Sequence, residues 1–306
     1  MTPEHHDLTN YGAAPRLGLV CMTIGPELRF RTVTRTRYLL MSEPEREARL
    51  REIYAHNLDR LFAALEYCRL RDIHLYRATS ALFPLNDDAI GGAVLESMRA
   101  QMAPFNEQAV AAGVRVVLHP DQFVVLSSLS EAVVRQSIGI LERHAHIFDL
   151  LNLPRSTWAA MNIHGGKANR ADPLIETIKF LPESIRNRLV LENDERAYGA
   201  QDILKICRRA GVPMIFDNHH HAVKEKLSDY DDAGMSEMVA AAAATWPHSS
   251  WQIAHLSNGR ESFNDPRHSE LITNVPRSFE NVPWIEVEAK DKEEAIAQLR
   301  LTWPSK

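Results

Sequence analysis

The sequence contains little cysteine, and none of it is paired. Only three cysteines occur among the 306 residues, Cys21, Cys68 and Cys207, and they lie far apart. Because no C-x-x-C is present, the spacing excludes a cysteine-type zinc finger and a dithiol redox pair. Sparse, unpaired cysteine is typical of the reducing cytoplasm, which is the compartment we expect.

Long apolar runs and an N-terminal targeting segment are also missing. No stretch approaches the ~18 consecutive apolar residues that predict a transmembrane helix, so no membrane partner is expected. The first residues, MTPEHHDLTNYGAAPR, lack the apolar core of a secretory signal. We expect residues 1–15 to form a short flexible arm.

An excess of positive charge is absent as well. The formal net charge is −5, which argues against a globally basic nucleic-acid binder. A cluster of acidic metal ligands would lower this formal value, however, and bound divalent cations would raise the true one. The distribution of charge is therefore more informative than its sum.

What the chain does contain is a regular alternation of short apolar runs with amphipathic segments, which predicts a parallel sheet surrounded by helices. The predicted strands are 17–22, 73–78, 114–119, 160–164, 189–194, 213–217, 251–256 and 284–289. The predicted helices are 44–71, 88–112, 130–152, 172–187, 200–210, 235–245 and the C-terminal KDKEEAIAQLR. The long connection 257–283 carries turn-forming Asn and Pro residues in place of a clear helical pattern.

This order of elements favours an α/β fold of the (β/α)8, or TIM-barrel, type, which typically needs ~250 residues. The competing topology is an open doubly wound sheet, which expects a glycine-rich phosphate turn after the first strand. The segment at that place is CMTIGPELRF, which does not have this pattern. We therefore predict a single barrel domain over residues 1–306.

Six of the predicted strands end on residue types that bind metal ions. They are His119 in VRVVLHP, His164 in AMNIHGG, Glu192 in LVLEND, Asp217 in PMIFDNHHH, His255 in WQIAHLS and Glu288 in IEVEA. Any one of them alone is more often a hydrogen-bonded structural residue, but a barrel aims the C-terminal ends of all its strands at one point. Imidazole and carboxylate ligands suit manganese, zinc and iron. The pattern predicts a multi-metal centre, with Glu192 as the bridging carboxylate.

Two loop histidines extend this ligand set. His220 and His268 lie just beyond strands six and seven and bring the ligands to a number sufficient for about three ions. Within the triplet His219–His221, a continuing strand would place His219 and His221 on the face of Asp217. A turn after Asp217 would instead bring His220 inward, and the pattern does not choose between the two.

Two segments beside the predicted ligands are candidate substrate contacts. In HGGK (164–167) the glycines either permit a tight turn or let the backbone approach an anion, with Lys167 as a phosphate contact. Gln122 and Phe123 follow His119 directly in HPDQFVV. These two side chains either fill a gap in a base stack or pack the loop.

The first loop, ELRFRTVTRTRY (27–38), is rich in arginine. It contains Arg29, Arg31, Arg35 and Arg37 together with aromatic residues. Exposed arginines on a solvated hairpin are common. On the catalytic face of a barrel, the same residues would fit a loop that follows a nucleic-acid backbone and its unstacked bases.

Taken together, these motifs resemble the UV damage endonucleases, the UVDE family of DNA repair enzymes. The matching segments are RLGLVCMTIGPE, LYRATSALFP, LHPDQFVVL, NIHGGK, LENDERAYG, FDNHHHAV, AHLSNG and WIEVEAKDKEEAI. They occur in order over nearly the whole chain. The combination of LENDER, HHH and VEAKxKEEA is far more specific than a single short motif.

The resemblance implies a TIM barrel related to endonuclease IV that incises double-stranded DNA immediately 5′ of a lesion. The implied substrates are cyclobutane pyrimidine dimers, 6-4 photoproducts and abasic sites, and the products carry a 3′-hydroxyl and a 5′-phosphate. We expect a monomer at the bacterial nucleoid with no organic cofactor. The expected metal is manganese, about two or three ions per chain, with zinc, cobalt or magnesium as alternatives.

The resemblance also implies roles for individual residues. It makes metal ligands of His119, His164, Glu192, Asp217, His220, His255, His268 and Glu288, and its D-x-x-H pattern selects His220 from the triplet. Gln122 and Phe123 match the pair that probes opposite the lesion. We expect Glu192 and Lys167 to be catalytic, with Lys167 neutralising developing charge and no separate protein base.

The chain departs from some relatives at three places. Leu19 and Thr23 stand near positions where some members have a Tyr and an Asn that contact the lesion, and Thr23 is our candidate contact. Ile253 stands where some have a modified lysine, and ALFPLNDD lacks a histidine that some place after strand two.

Two other functions are compatible with the barrel. The first is a metal-dependent sugar isomerase or epimerase, against which the arginine-rich loop and the histidine-rich ligand set argue. The second is a non-catalytic sensor of DNA damage with structural metals, against which the complete ligand set argues.

Overall fold

The alternating pattern produces a closed barrel of parallel strands. In the computed structural model, which describes residues 15–120 and 123–303, the strands pair in chain order and β8 closes on β1. Their bounds are β1 Arg16–Val20, β2 Leu75–Ala78, β3 Arg115–Leu118, β4 Met161–His164, β5 Leu189–Glu192, β6 Met214–Asp217, β7 Ile253–Leu256 and β8 Trp284–Val287. The predicted (β/α)8 fold is confirmed. The first strand ends before its predicted end because Cys21 adopts a left-handed φ of 64°.

Helices form in the regions predicted to be helical, but several are subdivided, and two short helices, Arg35–Leu39 and Asn218–Glu225, form where none was predicted. Their bounds are α1 Arg35–Leu39, α2 Glu43–Leu70, α3 Ala89–Ser97, α4 Arg99–Met102, α5 Phe105–Ala111, α6 Glu131–Leu150, α7 Ala171–Lys179, α8 Glu183–Arg186, α9 Ala200–Ala210, α10 Asn218–Glu225, α11 Ala233–Ala243 and α12 Lys292–Thr302. The single helix predicted over 88–112 was wrong, because the chain breaks near Met98 and again at Pro104. The helix predicted over 172–187 is also divided, at Pro182. Proline offers no N–H to a continuing helix, and this explains the breaks at Pro104 and Pro182.

The long helix α2 begins as its sequence predicts. Glu45 accepts a hydrogen bond from the backbone N–H of Ser42 at 2.8 Å, and Pro44 occupies the first turn. Ile53, Leu58 and other apolar residues at helical spacing are buried along one side. No α-helix forms in 257–283, where only the 3-10 segment Arg277–Asn281 occurs.

The barrel interior is filled by a second apolar cluster, separate from the main core. Its buried members are Leu75, Val117, Ala160, Val190, Ile215, Trp246, Ile253 and Trp284. Because side chains on a strand alternate in direction, the residue two positions further along each strand also points inward, one layer nearer the C-terminal ends. This alternation decides which side chains meet at the mouth of the barrel.

The opposite end of the barrel is closed around Arg115, the first residue of β3. Its buried guanidinium donates hydrogen bonds to the carbonyls of Trp158, Trp251 and Thr157 at 2.7–2.8 Å. The same group lies 4.6 Å from the ring centre of Trp158 and 5.3 Å from that of Trp284, which are cation–π distances. Each of the three guanidinium nitrogens of this buried charged group thus donates a hydrogen bond. No helix in the described residues is long and apolar enough to cross a bilayer.

Candidate metal centre

The candidate ligands form the last inward-facing layer at the C-terminal mouth of the barrel. His119, Glu192, Asp217 and His255 each lie two residues after an interior apolar residue, namely Val117, Val190, Ile215 and Ile253. His164 and Glu288 each lie four residues after Ala160 and Trp284. The strand period of two therefore directs all six side chains inward at the C-terminal mouth of the barrel.

Glu192 lies at the centre of this layer and is buried. Its Oε2 atom is 3.4 Å from His119 Nε2 and 3.8 Å from His164 Nε2. Its Oε1 atom is 2.9 Å from His255 Nδ1 and 3.8 Å from His220 Nε2. One carboxylate oxygen thus faces one pair of histidines and the other oxygen faces a second pair, which is the arrangement a bridging carboxylate needs.

The helix α10 resolves the histidine triplet. It begins directly after Asp217, whose side chain caps it by accepting a hydrogen bond from the His220 N–H at 2.6 Å. His220 therefore turns toward Glu192. His219 is instead buried between the Tyr230 hydroxyl and the Asp265 carbonyl, at 2.7 Å from each, and His221 packs near Phe216.

The remaining candidates lie on the β7–β8 side of the mouth. Glu288 Oε1 is 3.4 Å from His255 Nδ1, and Glu288 Oε2 is 3.7 Å from His268 Nδ1. His268 comes from the long 257–283 connection, where it pairs with Gly259 in an isolated antiparallel bridge. The structure thus brings all eight predicted ligands to the mouth.

The donor set fits divalent cations. Three overlapping groups have ligand atoms within 4.8 Å of one another: His119–His164–Glu192, Glu192–Asp217–His220, and Asp217–His255–Glu288. Asp217 Oδ2 is buried and has no hydrogen-bond partner among the described residues. A buried carboxylate oxygen without a donor is costly unless a cation completes it. Imidazole and carboxylate donors without thiolates suit manganese, zinc and related ions.

The electrostatics of the cluster favour positive charge at its centre. Burial raises the pKa of Glu192, but His255 and His164 outweigh it and hold that pKa well below its ordinary value. Burial lowers the pKa of His220, but Asp217 and Glu195 raise it to about 10. Burial holds the pKa of His164 below its usual range, so its ring favours the neutral form, which has a free lone pair.

Four further residues complete the centre, and none of them was among the residues predicted from the sequence. Arg77 on β2 makes ion pairs with Glu288 and, at 3.0 Å, with Glu286. Asn162 donates a hydrogen bond to Glu192 Oε2, and Glu195 accepts from His220 Nδ1 at 2.9 Å. The period of two along β2, β4 and β8 identifies Arg77, Asn162 and Glu286 as inward-facing. Glu195 lies in a loop, where no such period applies.

Lys167 is exposed at the rim of the mouth. Its backbone N–H donates to Ser127 Oγ at 2.6 Å, and its carbonyl accepts from the Tyr198 hydroxyl at 2.7 Å. The preceding Gly166 has a φ of +77°, and a Cβ there would lie 2.7 Å from Ser127 Oγ. The glycines therefore make the tight turn, and that turn presents Lys167 to solvent.

The other candidate DNA contacts differ in exposure. Phe123, four residues after His119 in the sequence, is 69% exposed, while Gln122 lies outside the described residues. Thr23 is buried, and its hydroxyl accepts from the Leu28 N–H at 3.2 Å. Its position thus stabilises the first loop, and a lesion contact by Thr23 stays a prediction.

The arginine-rich first loop is not a hairpin, since it runs as coil into α1. Arg31 pairs with Glu52 at 2.9 Å and Arg35 with Asp87 at 2.5 Å, while Arg29 donates to the Ile24 carbonyl. All four arginines, including Arg37, are exposed. Exposed ion pairs contribute little stability, so these guanidinium groups remain available to phosphates.

Comparison with known proteins agrees with this geometry. A family model described as "UV-endonuclease UvdE" matches residues 15–304. The UV DNA damage endonuclease of Nostoc sp. is 53% identical over 293 residues, which cover 95% of this chain and 91% of that protein. The UV DNA damage endonuclease of Deinococcus radiodurans is 48% identical over 297 residues, covering 96% and 97%.

A solved structure has the same architecture. The crystal structure of SacUVDE superimposes with a TM-score of 0.77 and 24% identity, covering 94% of this chain and 99% of that one. At this identity the likeness concerns the fold. The matched family model and the two relatives, by contrast, extend over nearly the full sequence, and the chain therefore belongs to the UV-endonuclease UvdE family.

Proposed function

We propose that this chain is a DNA repair endonuclease that hydrolyses the phosphodiester immediately 5′ of UV photolesions by a multi-metal mechanism. The substrates we assign are cyclobutane pyrimidine dimers and 6-4 photoproducts in double-stranded DNA, and abasic sites as a further class. The observation that carries the proposal is the set of three overlapping ligand groups centred on Glu192. Membership of the UvdE family supports the nuclease assignment.

The metal-binding roles follow from the groups at the mouth. His119 and His164 would hold one ion, Asp217, His255 and Glu288 a second, and His220 and His268 a third, with Glu192 shared between ions. Bound divalent ions would polarise the phosphodiester and stabilise charge on its attacking and leaving oxygens. We infer manganese from the nitrogen and oxygen donors, with zinc, cobalt and magnesium as alternatives.

The remaining residues would position the DNA. Lys167, exposed on its glycine turn beside His164, would neutralise charge developing on the phosphate. The exposed guanidinium groups of the first loop would bind the backbone on either side of the lesion. Phe123, together with Gln122, would occupy the gap left when damaged nucleotides leave the stack, a step that costs less where stacking is already poor.

The test is a nicking assay mapped at nucleotide resolution. Duplexes carrying a single pyrimidine dimer, a single abasic site or no lesion would be incubated with Mn²⁺ or with EDTA. We expect a Mn²⁺-dependent cut directly 5′ of the dimer and none in the undamaged duplex. Cleavage of the abasic duplex alone would overturn the photolesion assignment and leave a general abasic endonuclease.

The two competing functions predict different results in the same experiment. Binding of the dimer duplex without nicking, in the presence of bound metal, would identify a damage sensor. No action on any duplex, combined with ketose–aldose conversion of sugars, would identify an isomerase or epimerase.

A further inference from the structure

His255 lies between carboxylates on both sides of its ring. Its Nδ1 atom faces the ligand cluster, 2.9 Å from Glu192 Oε1 and 3.4 Å from Glu288 Oε1. Its Nε2 atom faces away from the cluster, 3.4 Å from Glu286 Oε2. The whole side chain is buried, so solvent satisfies neither nitrogen.

Glu286 is the carboxylate that faces Nε2 of His255, with its Oε2 atom at 3.4 Å. Both Nε2 and Glu286 Oε2 are buried without a hydrogen bond of ordinary geometry, and 3.4 Å is at the long end for one. His255 and Glu286 are paired in register on neighbouring strands β7 and β8. The two backbones therefore fix this contact, and it does not depend on a mobile loop.

Arg77 on β2, which is separated from β8 by the intervening strand β1, holds Glu286 in place. Its Nη1 atom is 3.0 Å from Glu286 Oε2 and also pairs with Glu288 Oε1. Glu286 and Glu288 lie two residues apart on one strand and would repel each other without a cation between them. Because Arg77 supplies that charge at Oε1, the other oxygen of Glu288 stays directed toward His268.

This arrangement matches the way in which a histidine ligand is oriented in metal sites. An imidazole binds a metal ion through one nitrogen and donates the N–H of the other, commonly to a carboxylate, which fixes the ring orientation and the tautomer. We propose that Glu286, clamped by Arg77, is the positioning residue that directs His255 Nδ1 at the metal centre. This inference rests on the proposed function, since it takes His255 to be a ligand.

The first experiment measures metal binding by Glu286 variants. Free Mn²⁺ would be counted by electron paramagnetic resonance during titration of the wild type, Glu286→Leu and Glu286→Gln, with melting temperatures in EDTA as the check on folding. We expect Glu286→Leu to weaken one Mn²⁺ site by about 10–100-fold. Glu286→Gln keeps an acceptor oxygen and should restore part of that affinity. Val117→Ala is the matched control, because it removes an interior contact but no charge.

The outcomes separate this inference from the proposed function. If the wild type binds no Mn²⁺, the metal centre and this inference both fail. If the wild type binds Mn²⁺ and Glu286→Leu binds it equally well, the orienting role of Glu286 is wrong and the metal centre stands.

A second measurement does not depend on any variant at Glu286 folding. In Zn²⁺-loaded wild type labelled with ¹⁵N-histidine, long-range nitrogen–proton correlation spectra report which ring nitrogen carries the proton. We expect His255, assigned by its loss in His255→Gln, to carry the proton on Nε2. A proton on Nδ1 would overturn the proposal.

Discussion

The carboxylate of Glu195 lies 2.9 Å from Nδ1 of His220, on the side of the ring that faces away from Glu192. Its hydrogen bond with His220 holds the pKa of Glu195 at about 2, so the carboxylate is ionised at neutral pH. The Nε2 atom of the same ring points at Glu192 Oε1. His220 is thus anchored at one nitrogen and directed at the cluster with the other.

Replacing Glu195 by Gln should weaken metal binding at the His220 position. An outer-shell partner of a ligating histidine is typically worth 10–100-fold in metal affinity or activity. We therefore expect the Mn²⁺ concentration for half-maximal nicking to rise by about that factor. Glu176→Gln is the control, because Glu176 makes only an exposed pair with Lys179. An unchanged Mn²⁺ dependence in Glu195→Gln would exclude the anchoring role.

Removal of metal should destabilise the wild type but not a variant without the central carboxylate. A ligand at about 100 times its Kd stabilises by ~2.7 kcal/mol, which corresponds to about 4 °C in Tm for a chain of 306 residues. Calorimetry with and without EDTA should show this shift in the wild type. Glu192→Ala should fold, lose the shift, and lose nicking by at least about a thousandfold. Substantial activity in Glu192→Ala would refute the bridging assignment.

Phe123→Ala should reduce lesion binding without affecting stability. The side chain is 69% exposed, so its removal costs the fold little. Stacking on a base contributes ~1–3 kcal/mol, so Kd for dimer-containing duplex should rise about 5–150-fold. Phe180→Ala is the control: Phe180 is also exposed, at 85%, but it caps the C-terminal end of α7, at the closed end of the barrel. Equal effects of the two substitutions, read by fluorescence anisotropy, would contradict the contact.

The cysteines should differ sharply in reactivity. Burial raises the pKa of Cys68 to about 12 and that of Cys207 above its ordinary range as well. Since only the thiolate is nucleophilic, both remain inert thiols at pH 8, where the half-buried Cys21 is accessible. We expect a thiol reagent to modify Cys21 alone in the native protein and all three residues in denaturant. Modification of Cys68 in a folded sample would contradict this.

The sequence was sufficient for the barrel and the ligand layer because both depend on periodicity. Each strand is a short apolar run. The side chain of His119 or Asp217 at the end of its strand points inward because the residue two positions earlier does so. The same rule would have identified Arg77 and Glu286, but arginine and a second glutamate on a strand do not by themselves indicate a metal centre. Their role emerges only when the barrel closes and β8 pairs with β1, so that Arg77 on β2 reaches Glu286.

Glu195 and the histidine triplet could not be settled in this way. Glu195 reaches His220 because Asp194 folds the following loop by accepting backbone hydrogen bonds from Arg196 and Tyr198. His220 turns inward because α10 begins at Asn218, a start that the capping aspartate Asp217 could have indicated. Helix breaks at Pro104 and Pro182 were likewise readable, but the apolar spacing across them obscured the division.

The packing around Arg115 closes the end of the barrel that lies opposite the candidate metal centre. The described residues leave no path to Glu192 through the packed interior, so under the proposed function ions would enter and leave by the opening that would also receive DNA. A duplex bound at that opening would then cover the route by which the ions leave. We therefore expect the order of binding to matter: the ions should bind before the duplex, and a chelator added to the assembled complex should remove them far more slowly than it removes them from the free protein.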